Sequence, residues 1–287
     1  MRASEIATRL NLTRRPEGRG WVGECPSCRY ENGFTLRERD GKAMWWCASC
    51  GDDREALTRA VLGDQGHVGD GERRTGLSDA ATRTRRAMHF WDQALPIAGS
   101  IAERYLATRR LTQPDSGVLR FLPDAPHPAG TRCNAMVALA VDGAGRGQAI
   151  HRTFLAPGGA GKAQLDPPRA TLGPIGGAVV RLCRWREGQP LVIGEGIETS
   201  LSASLLTGHP AWAAISAGNM KAVQLPDAVT HVLVAADHDM PGQRAAWAAA
   251  DAFMAQGRQV RILTPDNPGE DFNDVLMRQS AKEAAHA

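Results

Sequence analysis

No stretch of this 287-residue chain approaches the ~18 to 20 uninterrupted apolar residues of a membrane-spanning helix. The N-terminal text MRASEIATRLNLTRR has neither the apolar core nor the cleavage site of a signal peptide. These absences predict a protein of the cytoplasm with no membrane partner. Net charge is small, +3 overall, and no internal repeat marks a solenoid or propeller. A phosphate-binding P-loop is also missing. In Gly158-Gly159-Ala160-Gly161-Lys162 the position five before Gly161 is Ala156, and Ala163 stands where serine or threonine is needed. These residues therefore encode no helicase motor, and unwinding has to come from another protein. Cysteine is sparse. Six thiols in a reducing compartment argue against a disulfide framework and make metal ligation the better reading of any paired set.

What is present is unevenly distributed. Lys and Arg exceed Asp and Glu by six over residues 131–186, and the acids exceed the bases by six over 187–287. That polarity suits a protein holding a polyanion with one part and divalent cations with the other; two solvated surfaces of opposite sign explain it equally. Residues 63–78, with the text GDQGHVGDGERRTGL, have the composition of a flexible linker and set residues 1–62 apart as a module. Helical spacing follows over 79–95 (Ala87, Phe90, Trp91, Leu95) and 99–109 (Ile101, Tyr105, Leu106). MVALAV and QAIHRTFL, separated by the turn signal DGAGRG, predict a β-hairpin. Beyond Pro190 the apolar runs PLVIG, AWAAIS, HVLVAAD and QVRILTP alternate with helical stretches closed by Gly208 and Gly257. Continuous apolar strands alternating with helices predict a parallel sheet covered on both faces, so residues 187–287 read as α/β and 79–186 as mixed α+β.

Within 1–62, Cys25-Pro-Ser-Cys28 and Cys47-Ala-Ser-Cys50 are separated by eighteen residues. Each pair can turn two sulfurs toward one tetrahedral Zn²⁺, which joins two hairpins too small to fold alone. Cys133 and Cys183 stand alone and read as core residues. Trp21, Tyr30, Phe34, Trp45 and Trp46 crowd the module among Arg29, Arg37, Arg39 and Lys42. Aromatic faces between cations suit unstacked bases of single-stranded DNA, with Trp45 and Trp46 the named candidates; part of this aromatic mass has to serve as the module's own core.

Glu195 ends PLVIG between Gly194 and Gly196, and Asp237 and Asp239 end HVLVAAD ahead of a helix opened by Pro241-Gly242. The carboxyl ends of parallel strands border the ligand crevice of an open α/β sheet, where these three acids can meet. Residues i and i+2 of an extended chain share a face, so Asp237 and Asp239 can bind one divalent ion or bridge two, and His238 points away. Asp271-Phe272-Asn273-Asp274 follows the last strand and adds acids. Such oxygen-rich sites suit Mg²⁺ or Mn²⁺. Asp271 and Asp274 read alternatively as helix N-caps, which does not account for three acids at matching strand ends.

The segments GEGIETSLSA, AADHDMPGQRAA and GEDFNDVL resemble the three motifs of the Toprim domain in primases of phages, plasmids and integrated elements, related to bacterial DnaG-type primases. AERYLATRRL, HRTFL and SAGNM fall in the order found in that family. The resemblance implies a Toprim parallel sheet flanked by helices over 187–287, an N-terminal four-cysteine zinc ribbon over 1–62 and a basic subdomain within 79–186. It implies Glu195 as catalytic acid/base, Asp237 and Asp239 as holders of the catalytic Mg²⁺ or Mn²⁺, and Asp271, with Asp274, as further acidic ligands. Arg152 and Lys162 are assigned to nucleotide phosphates or template backbone, with Arg169 and Arg181 beside them; each reads equally as a solvated charge. His238 departs from the asparagine common at that position and leaves the carboxylates intact.

The implied activity is synthesis of short RNA primers on single-stranded DNA from ribonucleoside triphosphates, with a replicative helicase in trans. A Toprim nuclease uses the same carboxylates to direct water at a phosphodiester. A non-enzymatic zinc-dependent DNA-binding or helicase-loading factor is the third reading, which an intact acidic set argues against. Topoisomerase chemistry needs a tyrosine nucleophile, and the two tyrosines, Tyr30 and Tyr105, fall in the ribbon and in a predicted helix.

Overall fold

A computed structural model describes residues 2–15, 20–27, 34–39, 41–47, 54–63, 76–114, 117–128 and 130–286. The chain divides into two units, Met1–Arg73 and Arg74–Ala287.

In the first unit, helix α1 (Ala3–Arg9) precedes four strands, β1 (Thr13–Arg14), β2 (Trp21–Gly23), β3 (Phe34–Arg39) and β4 (Lys42–Cys47), and helix α2 (Arg54–Leu62) follows. The strands form one antiparallel sheet in chain order. Ile6, Phe34, Leu36, Leu57 and Val61 fill its core together with Cys25 and Cys47. Gly23, Phe34 and Cys47 stand side by side in register, so Cys47 and Cys25, two residues beyond β2, come to the same end of the sheet. Cys28 and Cys50 lie outside the described residues. Alternation along β4 exposes Lys42, Met44 and Trp46 and turns Trp45 toward the core.

The second unit opens with helix α3 (Gly76–Gln93), strand β5 (Leu95–Pro96) and helix α4 (Ile101–Thr108), whose cap Ser100 accepts from the amides of Ala102 and Glu103. An antiparallel sheet follows, β5 with β6 (Leu119–Pro126), β7 (Arg132–Val141), β8 (Gly147–Phe154) and β9 (Arg169–Leu172), in that order. The expected hairpin is β7–β8, at the centre of five strands rather than alone. Ala87 and Trp91 of α3 cover one face of this sheet over Val137, Ile150 and Phe154, and each large side chain buried there contributes about 1.5–3 kcal/mol.

The remaining elements are β10 (Leu191–Gly194), α5 (Ile197–Thr207), β11 (Ala211–Ala213), α6 (Ala217–Met220), β12 (His231–Ala235), α7 (Met240–Met254), β13 (Gln259–Leu263) and α8 (Phe272–His286). Four of them form a wholly parallel sheet, β11-β10-β12-β13. Phe253, Ala246 and Ala249 of α7 pack on one face with Ile193 and Val234, and Ala203 of α5 and Phe272 of α8 pack with Val192 and Ala235 on the other. The α/β reading of the C-terminal part therefore holds.

The two sheets are joined by hydrogen bonds. Val179 exchanges both backbone bonds with Val141, next to which Val180 exchanges both with Ala213 of β11. Asn219, buried in the SAGNM segment, donates to the carbonyls of Ala178 and Ala214 and accepts from the Gly177 amide, each at 2.8 Å. One side chain thus satisfies three buried backbone groups and ties the loop after β11 to the linking segment.

Candidate active site

The carboxyl ends of β10, β12 and β13 lie side by side, Gly194 opposite Ala235 and Ala235 opposite Leu263. Glu195 follows the first, Asp237 and Asp239 the second, and the loop to Asp271 the third, so register alone brings these acids to one edge of the sheet.

Burial raises the Glu195 carboxyl, with Asp239 adding to the effect; Arg169 and the Ala217 amide work against it. Asp237 is pushed up to about 7, first by burial and then by Asp271, Glu195 and Asp239, against a hydrogen bond donated by the Thr199 hydroxyl at 3.3 Å. Asp239 caps α7, its Oδ1 accepting from the Gly242 amide at 2.7 Å. Gly242 is needed for that approach, since a side chain there would meet the Asp237 carbonyl at 2.8 Å and Asp239 Oδ1 at 2.9 Å. Asp271 and Asp274 form a reciprocal pair at the start of α8: Asp271 Oδ1 accepts from the Asp274 amide (2.9 Å) and Asp274 Oδ2 from the Asp271 amide (3.1 Å). His238 turns away as expected. Its Nδ1 donates to the Pro265 carbonyl at 2.8 Å, and its amide to the Glu270 carbonyl at 3.0 Å, tying the end of β12 to the loop before α8.

Among the described residues no three of these acids form a ready-made cage for a metal ion. The donor set fits a hydrated Mg²⁺ or Mn²⁺ better than a dehydrated one, because Mg²⁺ keeps several waters and takes one or two carboxylates plus substrate phosphates. Burial and mutual repulsion raise Asp237 to about 7, and the repulsion is the charge imbalance such a cation would relieve.

Beside the acids lies a second charged group that sequence reasoning missed. Glu198, in the first turn of α5, is buried. Burial pushes its carboxyl upward, but the Lys162 ammonium at 3.0 Å, the Tyr105 hydroxyl at 2.5 Å and Arg169 outweigh that and hold it down to about 2. Tyr105 in turn is raised far above its ordinary range, by burial and by the Glu198 carboxylate. His151 of β8, pushed down to about 3 by burial and Arg169, stays neutral beside them and shares a hydrogen bond with Thr171. Lys162 is thus anchored on a carboxylate rather than free in solvent. Arg169 is exposed, and its guanidinium passes within 3.7 Å of where a side chain on Gly196 would begin.

Arg152 is buried and Arg181 partly buried, and both are bonded to backbone carbonyls. Arg152 shares with Ile150 and Phe154 the face of β8 that α3 covers, donates to the carbonyls of Pro126 and Thr171, and is lowered to about 10 by burial and then Arg86. It holds sheet and loop together from within. Arg181 donates to the carbonyls of Asp142 and Gly143 and stacks 4.7 Å from the centre of the Trp212 ring. Trp45 and Trp46 belong to the first unit, the former partly buried and the latter half exposed.

Residues 81–182 match the family model of a domain of unknown function (DUF7146). Among solved structures the chain is similar to a DNA primase domain from Pseudomonas aeruginosa (19% identity, TM-score 0.47, 71% of this chain and 77% of that one). It is similar also to the Aquifex aeolicus primase with its zinc-binding and RNA polymerase domains (14%, 0.47, 100% and 82%). A third is the primase fragment of the bacteriophage T7 primase-helicase protein (15%, 0.42, 92% and 97%). Residues 190–282 match the family model of the Toprim domain, and all the acids at the ends of β10, β12 and β13 lie within it.

Proposed function

We propose that the chain is a DNA primase, joining ribonucleotides into short primers on a single-stranded DNA template by metal-dependent nucleotidyl transfer. The observation that carries the proposal is the meeting of Glu195, Asp237, Asp239 and Asp271 at one edge of the Toprim sheet, close enough that repulsion from the other three adds to burial in raising Asp237 to about 7. Asp237 and Asp239, with Asp271, would hold Mg²⁺ or Mn²⁺, which when bound orients phosphates and stabilises the charge on a leaving oxygen. Asp274, turned back on the Asp271 amide, positions that acid.

In the reaction a primer 3′-oxygen bonds to the α-phosphorus, the bond from that phosphorus to the pyrophosphate oxygen breaks, and the hydroxyl proton leaves. Glu195 is the group to take it: burial raises its affinity for a proton, the direction a general base requires. Exposed Arg169 would hold phosphate, and Lys162 would be aimed at it by Glu198. In the first unit, Cys25, Cys28, Cys47 and Cys50 would hold one structural Zn²⁺, and exposed Trp46 would stack a template base. Strand separation would fall to a replicative helicase in trans, in the cytoplasm.

The test incubates the protein with single-stranded DNA, labelled ribonucleotides and Mg²⁺ or Mn²⁺, and resolves the products on a denaturing gel. Wild type makes short labelled oligonucleotides and Glu195→Gln makes none. Cleaved template without synthesis would replace the primase with a nuclease, and retarded but unaltered DNA with a binding factor.

A further inference from the structure

The parallel sheet ends at β13, which pairs with β12 alone among the described strands. The Gln259 amide donates to the Thr230 carbonyl (2.8 Å), and the Leu263 carbonyl accepts from the Ala236 amide (2.9 Å). In a parallel ladder this alternation turns the backbone groups of Gln259, Arg261 and Leu263 inward and those of Val260 and Ile262 toward the open edge. Helix α7 covers the Val260 and Ile262 face. One of its stripes, Gln243, Trp247, Ala250 and Met254, borders with that edge strand a groove of about 580 Å³. The spacing is that of a helix stripe packed on a sheet, yet Trp247 is 62% exposed and Met254 49%. Amides and carbonyls unpaired among the described residues on one wall and a largely apolar helix stripe on the other describe the place of a fifth strand.

We propose that β13 and α7 form a docking site for an extended segment of a partner protein, which adds to the sheet edge as that fifth strand. Its apolar side chains would face Trp247 and Met254, and an acidic side chain on its other face would lie beside Arg261.

Charge selects this occupant. Strand alternation places the Arg261 side chain on the face of β13 opposite Val260 and Ile262, at the border of the groove; it is exposed and has no ion pair among the described residues. A second copy of the chain is disfavoured at the same edge. The two-fold antiparallel register that uses both outward residues sets Val260 against Ile262 and Arg261 against Arg261, and like charges directly opposed destabilise a strand pair. An acid in that position turns the repulsion into attraction, and backbone pairing to a sheet edge with pockets for alternate side chains is an established mode of peptide capture. Tryptophan and arginine are also the residue types that dominate binding energy at interfaces.

The experiment titrates the full chain into a fluorescein-labelled peptide of alternating valine and glutamate and follows anisotropy. A second peptide is N-methylated on alternate valines, which removes its backbone donors, and a third carries lysine for glutamate. The valine–glutamate peptide should bind saturably and the other two about tenfold or more weakly, a difference well within the resolution of the titration. Trp247→Ala should weaken binding by a similar factor, and Arg261→Glu should reverse the preference between glutamate and lysine peptides; circular dichroism checks that both variants fold. No saturable binding below about 1 mM, equal binding of the N-methylated peptide, or an unaltered charge preference in Arg261→Glu would each overturn the proposal. A concentration-dependent dimer in sedimentation that Trp247→Ala abolishes would give the edge to a second copy and overturn it as well.

Discussion

The repulsion around Asp237 has a thermodynamic signature that Asp237→Asn exposes. The carboxyl rises from an ordinary 3.8 to about 7 in the folded chain, chiefly through burial and then through Asp271, Glu195 and Asp239. Below about pH 4 both folded and unfolded states hold the proton and the group is silent. Between about pH 4 and 7 the unfolded chain releases it first, so stability falls as pH rises, and above 7 the loss levels off. A difference of about three units at 1.36 kcal/mol each gives an upper bound of about 4 kcal/mol, and partial solvent access brings it to about 2–3 kcal/mol. Asparagine cannot ionise and retains an oxygen to accept from Thr199. In EDTA, urea denaturation followed by circular dichroism should give wild type and Asp237→Asn equal stability at pH 4 and a variant more stable by about 2–3 kcal/mol at pH 8. Contributions of the first unit cancel in the comparison. Adding Mg²⁺ at pH 8 should narrow the gap, because the cation relieves repulsion only where the carboxylate is present. A stability difference that does not grow with pH would refute the claim that these four acids share one field.

Three further outcomes are expected. Glu198, held down to about 2, contributes stability above pH 4.5 that is lost as pH falls toward 2; Glu198→Gln should cost about 2–3 kcal/mol at pH 7 by leaving Lys162 unpaired, and progressively less as pH falls from 4.5 toward 2, in the same denaturation assay. Asn219→Ala should lower stability by about 3 kcal/mol, because three buried backbone groups lose their partner, and thermal unfolding reads the loss. Cys47→Ser should release one equivalent of zinc in elemental analysis, and retention of a full equivalent would remove Cys47 from the ligand set.

The parallel sheet was legible because its strands are short apolar runs and Gly208 and Gly257 close its helices. The antiparallel sheet was legible only at its centre. β7 and β8 are long apolar runs on either side of a clear turn, whereas β5 has two residues, β9 has four, and β6 is broken by prolines and a register shift between Leu122 and Ala125. Too few residues repeat in those strands to show a period. Glu198 went unread because a glutamate in a first helical turn is ordinary, and its partner Tyr105 stands 93 residues away. The burial of Arg152 went unread for a related reason. A cation in a strand signals a solvated face only where one face is bare, and α3 covers that face of β8 from a distant part of the chain.

Capping and the proposed metal binding, set against each other in the sequence, are compatible in the same residues. Asp239 and Asp271 each spend one oxygen on a helix amide, at α7 and at α8, and Glu195 accepts from the amide that begins α6. A carboxylate has about four lone-pair sites, so one such bond fixes its direction and leaves acceptor capacity for a cation. Fixing matters because the acids repel one another and, without a restraint, would swing apart into solvent at little cost. The amides also act electrostatically. Helix N-termini carry partial positive charge, and α7 and α8 direct theirs at the edge where the acids meet. The helices thus hold in place a concentration of negative charge that shows most in Asp237, which lacks such a cap, is bonded to the Thr199 hydroxyl and is raised to about 7. If Mg²⁺ or Mn²⁺ binds here as proposed, it would take the place of that proton, and Asp239 and Asp271, already oriented by their helix amides, would receive it with little reorganisation.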